Sequence, residues 1–176
     1  YRGKFKMNFV NKINSSLTFL SRNNIICLTI VSLIFFLDRT TKIKIINQQI
    51  QSSSLYINEY LNFDLVWNTG IGFGLMSYQS TIAYNLITFT ISGIIIFLIY
   101  LITKSTLVDK VLFSLILGGA LGNLYDRAVY FAVPDFIDVH YKSFHWFTFN
   151  IADIFITFGI LTILCKDIFL KNEKNS

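Results

Sequence analysis

Long apolar stretches separated by short polar segments dominate the chain. The clearest stretch runs from Thr81 to Ile102 without a charged residue, and its roughly 22 residues are enough for a helix to cross a hydrocarbon core of about 30 Å. An earlier stretch, Ile25 to Leu37, is apolar for only about 13 residues, so a span there must continue through polar residues towards Ile46. The pattern therefore predicts transmembrane helices, the first with a polar outer end.

Two further apolar stretches complete the pattern. Val111 to Leu124 contains three glycines, small residues that let helix backbones approach closely in a bundle: Gly118, Gly119 and Gly122. The last stretch runs from about Phe149 to Cys165 and contains Asp153. A carboxylate near hydrocarbon is costly and by default marks a functional site, so its partner has to be identified.

Composition agrees with a membrane protein. The 176 residues are 53% hydrophobic, 16% aromatic and only 14% charged, which lies outside the usual soluble range. With four spans both termini share one side, and that side holds ten of the fifteen Lys and Arg residues. The positive-inside rule then predicts that both termini are cytoplasmic. The net charge of +5 is explained by this topology and indicates no nucleic-acid partner.

The chain is predicted to form one compact membrane domain, residues 23–170, between cytoplasmic tails at 1–22 and 171–176. Residues 1–6, which precede Met7, are a candidate for a non-native addition. No small-residue cleavage site follows Leu37, so the first span is not interpreted as a cleaved signal peptide.

Two segments are predicted to face outward. Leu55 to Trp67 mixes apolar and polar residues, and the alternation of Phe63, Leu65 and Trp67 is a weak strand signal. The segment leads into a glycine-rich turn at Asn68 to Gly74. The segment between the third and fourth spans is rich in aromatic residues, which suit a membrane–water interface and a surface that receives acyl chains: Tyr130, Phe131, Tyr141, Phe144, Trp146 and Phe147.

Polar side chains gather at the outer ends of the third and fourth spans. Asn123 and Asp126 are three residues apart and share a helical face, as do Asn150 and Asp153. Two such polar faces can pack together and hydrogen-bond to each other. Asp135, in the loop between the two spans, is tethered close enough to join them.

A pair of neighbouring carboxyl groups is suited to peptide hydrolysis. Both cannot comfortably ionise, so the pair holds one proton. The ionised member takes a proton from water while the protonated member polarises the scissile carbonyl, and Arg127, expected to begin the loop, can help to position the peptide. We therefore predict an aspartic protease that uses Asp135 and Asp153. Asp138 is a rival for Asp135 that spacing alone does not exclude.

The sequence contains fewer of the residues that other functions would require. His140 and His145 lie in a loop and outside a His-Glu-x-x-His pattern, which argues against a zinc protease. A four-helix transporter or proton-relay protein that uses Asp153 is an alternative, but the acids gather at one side of the membrane. A purely structural scaffold leaves the cost of Asp153 unexplained.

Five motifs, in this order, resemble the lipoprotein signal peptidases, also called signal peptidase II: Asp38 to Lys42, Asn68 to Gly74, Gly118 to Arg127, Val133 to Ile137 and Phe149 to Asp153. The resemblance covers about Ile25 to Leu170. It implies an all-α integral membrane fold, a four-transmembrane-helix bundle with a small extracytoplasmic β-sheet cradle, in the bacterial inner membrane. The implied reaction is endoproteolysis of prolipoproteins just before a diacylglyceryl-modified cysteine.

The resemblance also implies residue roles. It puts the catalytic aspartates at Asp135 and Asp153, which favours Asp135 over Asp138. The residues implied to contact substrate are Asn68, Asn123, Arg127 and Asn150. Structural support is implied for Asp38, Lys42, Gly70 and Asp126, the first two spaced as an i, i+4 ion pair. Membrane lipid is an expected partner, and no metal or organic cofactor is implied. The departures from the family pattern are Ile71, Gly72 and Pro134.

Overall fold

The computed structural model describes residues 21–49, 55–70 and 81–173. Four helices and four strands are found in these ranges. The helices are α1 (Arg22–Gln49), α2 (Thr81–Lys104), α3 (Leu107–Tyr130) and α4 (Ile151–Glu173), and the strands are β1 (Leu55–Asn58), β2 (Leu61–Asn68), β3 (Val133–Tyr141) and β4 (Phe144–Phe149). The departures at Ile71 and Gly72 lie outside the described residues.

The helices follow the apolar stretches of the sequence. Within the described ranges, three of them are long and apolar enough to cross a membrane: α1, α3 and the Tyr84–Lys104 part of α2. The prediction that the first span continues through its polar end is confirmed, because α1 is unbroken for 28 residues. The fourth helix, α4, has 23 residues and carries Asp153 in its first turn.

Helix α3 is central and packs against each of the other three helices. Its glycines allow the close approach that the sequence predicts. A β-carbon at position 122 would lie 2.6 Å from Asp38 Oδ2 on α1, and one at position 119 would lie 2.5 Å from the Ala152 carbonyl oxygen on α4. The backbones of α1, α3 and α4 therefore meet closely at the level of these residues.

The strands form one antiparallel sheet in the order β1-β2-β3-β4. The weak strand signal at 55–67 corresponds to two strands joined by a tight turn. Three sequence-based placements were wrong. His140 and His145 lie in strands β3 and β4 and not in a loop. Asp135 lies in strand β3 and not in a loop, since the aromatic segment pairs as a hairpin. Arg127 lies inside α3, because the helix continues three residues further and ends at a left-handed Phe131.

Apolar side chains cover the outside of the helices as well as their contacts. The small buried core between α2 and α3 includes Ile95, Leu98 and Leu117, whereas Phe89 on α2 and Phe158 on α4 are largely exposed. A helix that is hydrophobic on its outer face is suited to lipid and not to water. Both cysteines are free thiols, Cys27 buried and Cys165 exposed.

We predict that Gly122→Ala destabilises the fold by roughly 1–3 kcal/mol, because the added methyl group must displace the Asp38 carboxylate in a packed interior. Thermal unfolding of the purified protein in detergent would show a lower melting temperature than wild type. Gly93→Ala on α2 is the matched control, since a β-carbon there meets no atom within 4 Å. An equal loss in both variants would contradict a specific contact at Gly122.

Candidate active site

Asp153 is held where α4 begins. Asn150, the residue before the helix, accepts a hydrogen bond at Oδ1 from the Asp153 backbone N–H (3.1 Å), and its own backbone N–H donates to Asp153 Oδ2 (3.1 Å). This is the reciprocal arrangement of a capping box, in which each side chain satisfies the other residue's backbone N–H. The carboxylate of Asp153 is therefore fixed by the same contacts that start the helix.

A second contact reaches Asp153 from α3. Asn123 donates from Nδ2 to Asp153 Oδ1 at 2.8 Å. The Asn123 amide oxygen in turn accepts a hydrogen bond of 3.0 Å from Lys42 Nζ on α1. Because the ammonium group can only donate, it fixes which way the Asn123 amide faces and presents the amide nitrogen to Asp153.

Lys42 belongs to a buried charge cluster, which we define as Asp38, Arg39, Lys42 and Asp126. Its ammonium group lies 2.7 Å from both Asp38 Oδ2 and Asp126 Oδ2, and Arg39 pairs with the other oxygen of Asp126. Asp38, Lys42 and Asp126 are each 0% exposed. Two cations and two anions neutralise the cluster, as buried charges require. The expected Asp38–Lys42 pair is confirmed.

The charge cluster also holds the start of α4. Asp38 Oδ1 accepts a hydrogen bond of 3.0 Å from the backbone N–H of Ala152, which is fully buried. The first N–H groups of a helix have no partner within the helix and favour a negative charge nearby. A carboxylate on α1 thus caps α4 one residue before Asp153.

Asp135 lies on β3 and faces the same end of α4. Its Oδ1 accepts a hydrogen bond of 2.6 Å from Asn150 Nδ2, and its Oδ2 accepts one of 2.8 Å from Asn68 Nδ2 on β2. The residue is only 3% exposed. Burial raises the pKa of Asp135 to about 6, and the nearby negative charge of Asp153 raises it as well, while the two amide hydrogen bonds oppose the rise.

Asn150 joins the two aspartates. Its amide nitrogen donates to Asp135, while its amide oxygen and backbone N–H bind Asp153. The structure therefore brings Asp135 and Asp153 to the two sides of one asparagine. The remaining oxygen of each carboxylate binds another asparagine. Asn68 donates to Asp135 Oδ2, and Asn123 donates to Asp153 Oδ1.

Asp138 has different partners. It is three residues beyond Asp135 on β3, and because side chains alternate along a strand, the two lie on opposite faces of the sheet. Its Oδ2 lies 2.8 Å from His145 Nδ1. The structure thus separates Asp138 from the group of asparagines around Asp135.

Arg127 lies beside this group and packs against Gly70. A β-carbon at Gly70 would come within 2.7 Å of the guanidinium, and this glycine also has a φ of 90°. Arg127 Nη1 donates to the Thr69 carbonyl (3.3 Å), and its Nε is buried without a hydrogen-bond partner among the described residues. Gly70 is needed both for its backbone conformation and for the space that it leaves.

Some supporting contacts could not be read from the sequence. Tyr84 on α2 donates its hydroxyl to the Arg127 carbonyl at 2.5 Å and lies against the guanidinium of the same residue. The link from Lys42 through Asn123 to Asp153 joins three helices. Neither has a local spacing signal, since the partners are about 30 to 80 residues apart along the chain.

Comparison with known proteins gives the family. A family model described as signal peptidase (SPase) II matches residues 30–169. The chain belongs to the signal peptidase II family. The resemblance of the five sequence motifs is thereby confirmed, and membership of a peptidase family favours hydrolysis over the transporter alternative.

Individual relatives agree with this assignment. The chain is 44% identical to a lipoprotein signal peptidase of Pelagibacter ubique over 169 residues, which is 95% of this chain and 98% of the relative. It is 42% identical to a lipoprotein signal peptidase of Francisella tularensis subsp. mediasiatica, over 69% of this chain and 78% of the relative.

Solved structures support the fold of this signal peptidase II family member. One bacterial membrane enzyme matches with a TM-score of 0.67 and 29% identity, covering 85% of this chain and 90% of that one. Another structure of a bacterial membrane enzyme gives a TM-score of 0.68 at 28% identity, over 80% and 90% of the two chains. The apolar helices and small antiparallel sheet therefore belong to a membrane enzyme fold.

The raised pKa of Asp135 predicts a pH dependence of stability. The folded-state pKa of about 6 exceeds the ordinary value of 3.8, so the folded state prefers the protonated carboxyl. The stabilisation of the folded state by the protonated Asp135 carboxyl is fully present below about pH 4 and is lost as the pH rises through about 6. Across that window we expect wild type to lose about 3 kcal/mol relative to Asp135→Asn.

Denaturant unfolding in detergent at intervals from pH 4 to pH 7 would measure this difference. Asp64→Asn is the control, since Asp64 is an exposed acid on the same sheet. If the stability difference between wild type and Asp135→Asn were the same at every pH, Asp135 would not have a raised pKa.

Proposed function

We propose that this protein is an aspartic endopeptidase that removes the signal peptide from bacterial prolipoproteins, cleaving just before the diacylglyceryl-modified cysteine. Asp135 and Asp153 form the catalytic pair. The observation that carries this proposal is the position of Asn150, which hydrogen-bonds both carboxyl groups at once. The family assignment and the names of the relatives support the substrate class.

The two aspartates lie in different surroundings. Both carboxylate oxygens of Asp153 accept hydrogen bonds from N–H donors, and the N-terminus of α4 favours negative charge. Asp135 is buried, and its pKa is raised to about 6. We therefore assign the shared proton to Asp135 and the negative charge to Asp153.

Hydrolysis then follows the usual course for two carboxyl groups. Asp153 takes a proton from a water molecule, whose oxygen attacks the scissile carbonyl carbon, while Asp135 gives its proton to the carbonyl oxygen. When the tetrahedral intermediate collapses, the C–N bond breaks and the leaving nitrogen takes the proton from Asp153. Asp135 recovers its proton from the hydroxyl group, so both carboxyls return to their starting states.

The polar residues around the pair are proposed to contact the substrate as well. Asn68, Asn123 and Asn150 donate hydrogen bonds to the carboxyls and hold them in position. The buried Nε of Arg127 has no hydrogen-bond partner among the described residues, so it is suited to donate to a peptide carbonyl. A buried donor without a partner is costly, and substrate binding would relieve that cost.

We propose that all four helices, α4 included, span the bacterial inner membrane with both termini in the cytoplasm. The sheet then lies outside the membrane, and the catalytic pair sits near the outer leaflet. Exposed aromatic side chains on the hairpin, among them Phe144, Trp146 and Phe147, suit the interface where a diacylglyceryl group would approach.

We predict that Asp135→Asn and Asp153→Asn each lower cleavage at least about a thousandfold, because each removes an acid–base group that its partner cannot replace. A gel-shift assay on a purified prolipoprotein, with and without its diacylglyceryl group, would measure this. Wild type should cleave only the lipidated form.

Asp64→Asn is the matched control, because it makes the same acid-to-amide change at an exposed position bound only weakly to Gln49. It should cleave at the wild-type rate. Undiminished cleavage by Asp135→Asn or Asp153→Asn would remove that residue from the mechanism, and cleavage of unlipidated substrate would contradict the proposed specificity.

The protonation states also predict a pH profile. Because the reaction needs a proton on Asp135, kcat/KM of wild type should fall on the alkaline side with an apparent pKa of about 6, a value that belongs to the coupled pair. Initial rates from pH 5 to pH 8 at low substrate concentration would show it. If kcat/KM rose with pH through this range, the reaction would not require a proton on Asp135, and the proposed assignment would be wrong.

A further inference from the structure

A second group of ionisable side chains lies on the face of the sheet away from Asp135. Asp138 and His140 are on β3, and His145 is on β4. Their ligand atoms all lie within 4.8 Å of one another. Asp138 Oδ2 is 2.8 Å from His145 Nδ1 and 3.7 Å from His140 Nδ1. Two imidazoles therefore converge on one carboxylate oxygen.

An irregularity in β4 creates this arrangement. Asp138 pairs with Thr148 and Val139 with Phe147, but His140 pairs with His145, so Trp146 is an extra residue on β4. In a regular ladder Trp146 would lie opposite His140, and His145 would face the other side of the sheet. The bulge turns His145 onto the face of Asp138 and His140, and such re-aiming of a side chain is a common role of bulges.

The group contains polar atoms that the protein leaves unsatisfied. His140 Nδ1 is buried and has no hydrogen-bond partner among the described residues, and its side chain is 8% exposed. Asn62 Oδ1 is also buried and has no hydrogen-bond partner among the described residues. Asn62 pairs with Asp138 where β2 runs beside β3. Buried polar atoms normally have partners, so two beside one carboxylate call for an explanation.

We propose that Asp138, His140 and His145 bind a divalent transition metal ion of the zinc class. Two imidazole nitrogens and one carboxylate oxygen form a donor set that zinc accepts in proteins. Ligand bonds of about 2.1 Å in a tetrahedral site put donor atoms about 3.4 Å apart, close to the separations found here. The fourth position is left to water. The side chain of His145 is 58% exposed, which gives the ion a path to the site.

The role of this ion is structural. The site lies on the face opposite Asp135, so it takes no part in the proposed hydrolysis. It ties β4 to β3, and β4 ends at Phe149, directly before Asn150. Fixing this strand would help to hold Asn150 between the two aspartates.

The test is calorimetric titration of ZnCl₂ into the full chain in detergent, after removal of any histidine tag and treatment with a chelator. We expect one ion per chain with a Kd of about 10 µM or tighter, and a rise in melting temperature with added zinc. His145→Gln should weaken binding at least tenfold and abolish the thermal shift. Because this side chain is exposed, the variant should still fold.

Further variants separate this site from others. His140→Gln and Asp138→Asn should also weaken binding. Glu59→Gln, an exposed acid in the β1–β2 turn, and Cys27→Ser/Cys165→Ser should bind as wild type does. The proposal is overturned if wild type binds zinc only at millimolar concentrations, if His145→Gln leaves the affinity unchanged, or if the cysteine variant abolishes binding.

Discussion

The burial of four charges between α1 and α3 is the constraint on which the site depends. Asp38, Lys42 and Asp126 are wholly shielded from solvent, and removing one partner of such a group costs about 3–5 kcal/mol because it strands the others. The cluster is tolerated in the interior because every charged group forms an ion pair with a group of opposite sign. It also reaches outward: Asp38 caps α4 at Ala152, and Lys42 orients Asn123 towards Asp153. Charges on α1 thus set the position of the Asp153 carboxylate on α4. The glycines of α3 allow the three helices to approach closely enough for this.

Asp135 and Asp153 share Asn150 as a hydrogen-bond partner but lie in different local structures. Asp153 sits in a capping box at a helix N-terminus, where N–H donors surround it. Asp135 sits in a strand, buried, with two amide donors against the cost of desolvation. Asn150 belongs to both environments and sets their relative position. The two carboxyl groups therefore differ in local backbone structure and in their hydrogen-bond donors, although both belong to aspartates.

The sheet has two chemically distinct faces. Alternation along β3 puts Asp135 on the face where it binds Asn150 and puts Asp138 on the other face, where a single bulge in β4 brings His145 to Asp138. His140 and His145, which the sequence predicts to lie in a loop, are therefore strand residues that converge on Asp138. The β3–β4 hairpin carries Asp135, ends directly before Asn150, and has a separate set of donor atoms on its other face.

The apolar periodicity and the motifs of the sequence were enough to predict the helices, the close glycine contacts, the Asp38–Lys42 pair and the family, because helix formation and i, i+4 pairing depend on near neighbours in the chain. The sequence also named Asp135 and Asp153 together. It could not show that Asp135 lies in a strand, that Arg127 remains helical, or that Asn123 is oriented by Lys42. The β2–β3 pairing and the Lys42–Asn123 contact join residues about 70 to 80 positions apart, so local spacing does not predict them. The end of α3 is set by the left-handed conformation of Phe131, and a one-residue bulge in β4 reverses which side chains share a face.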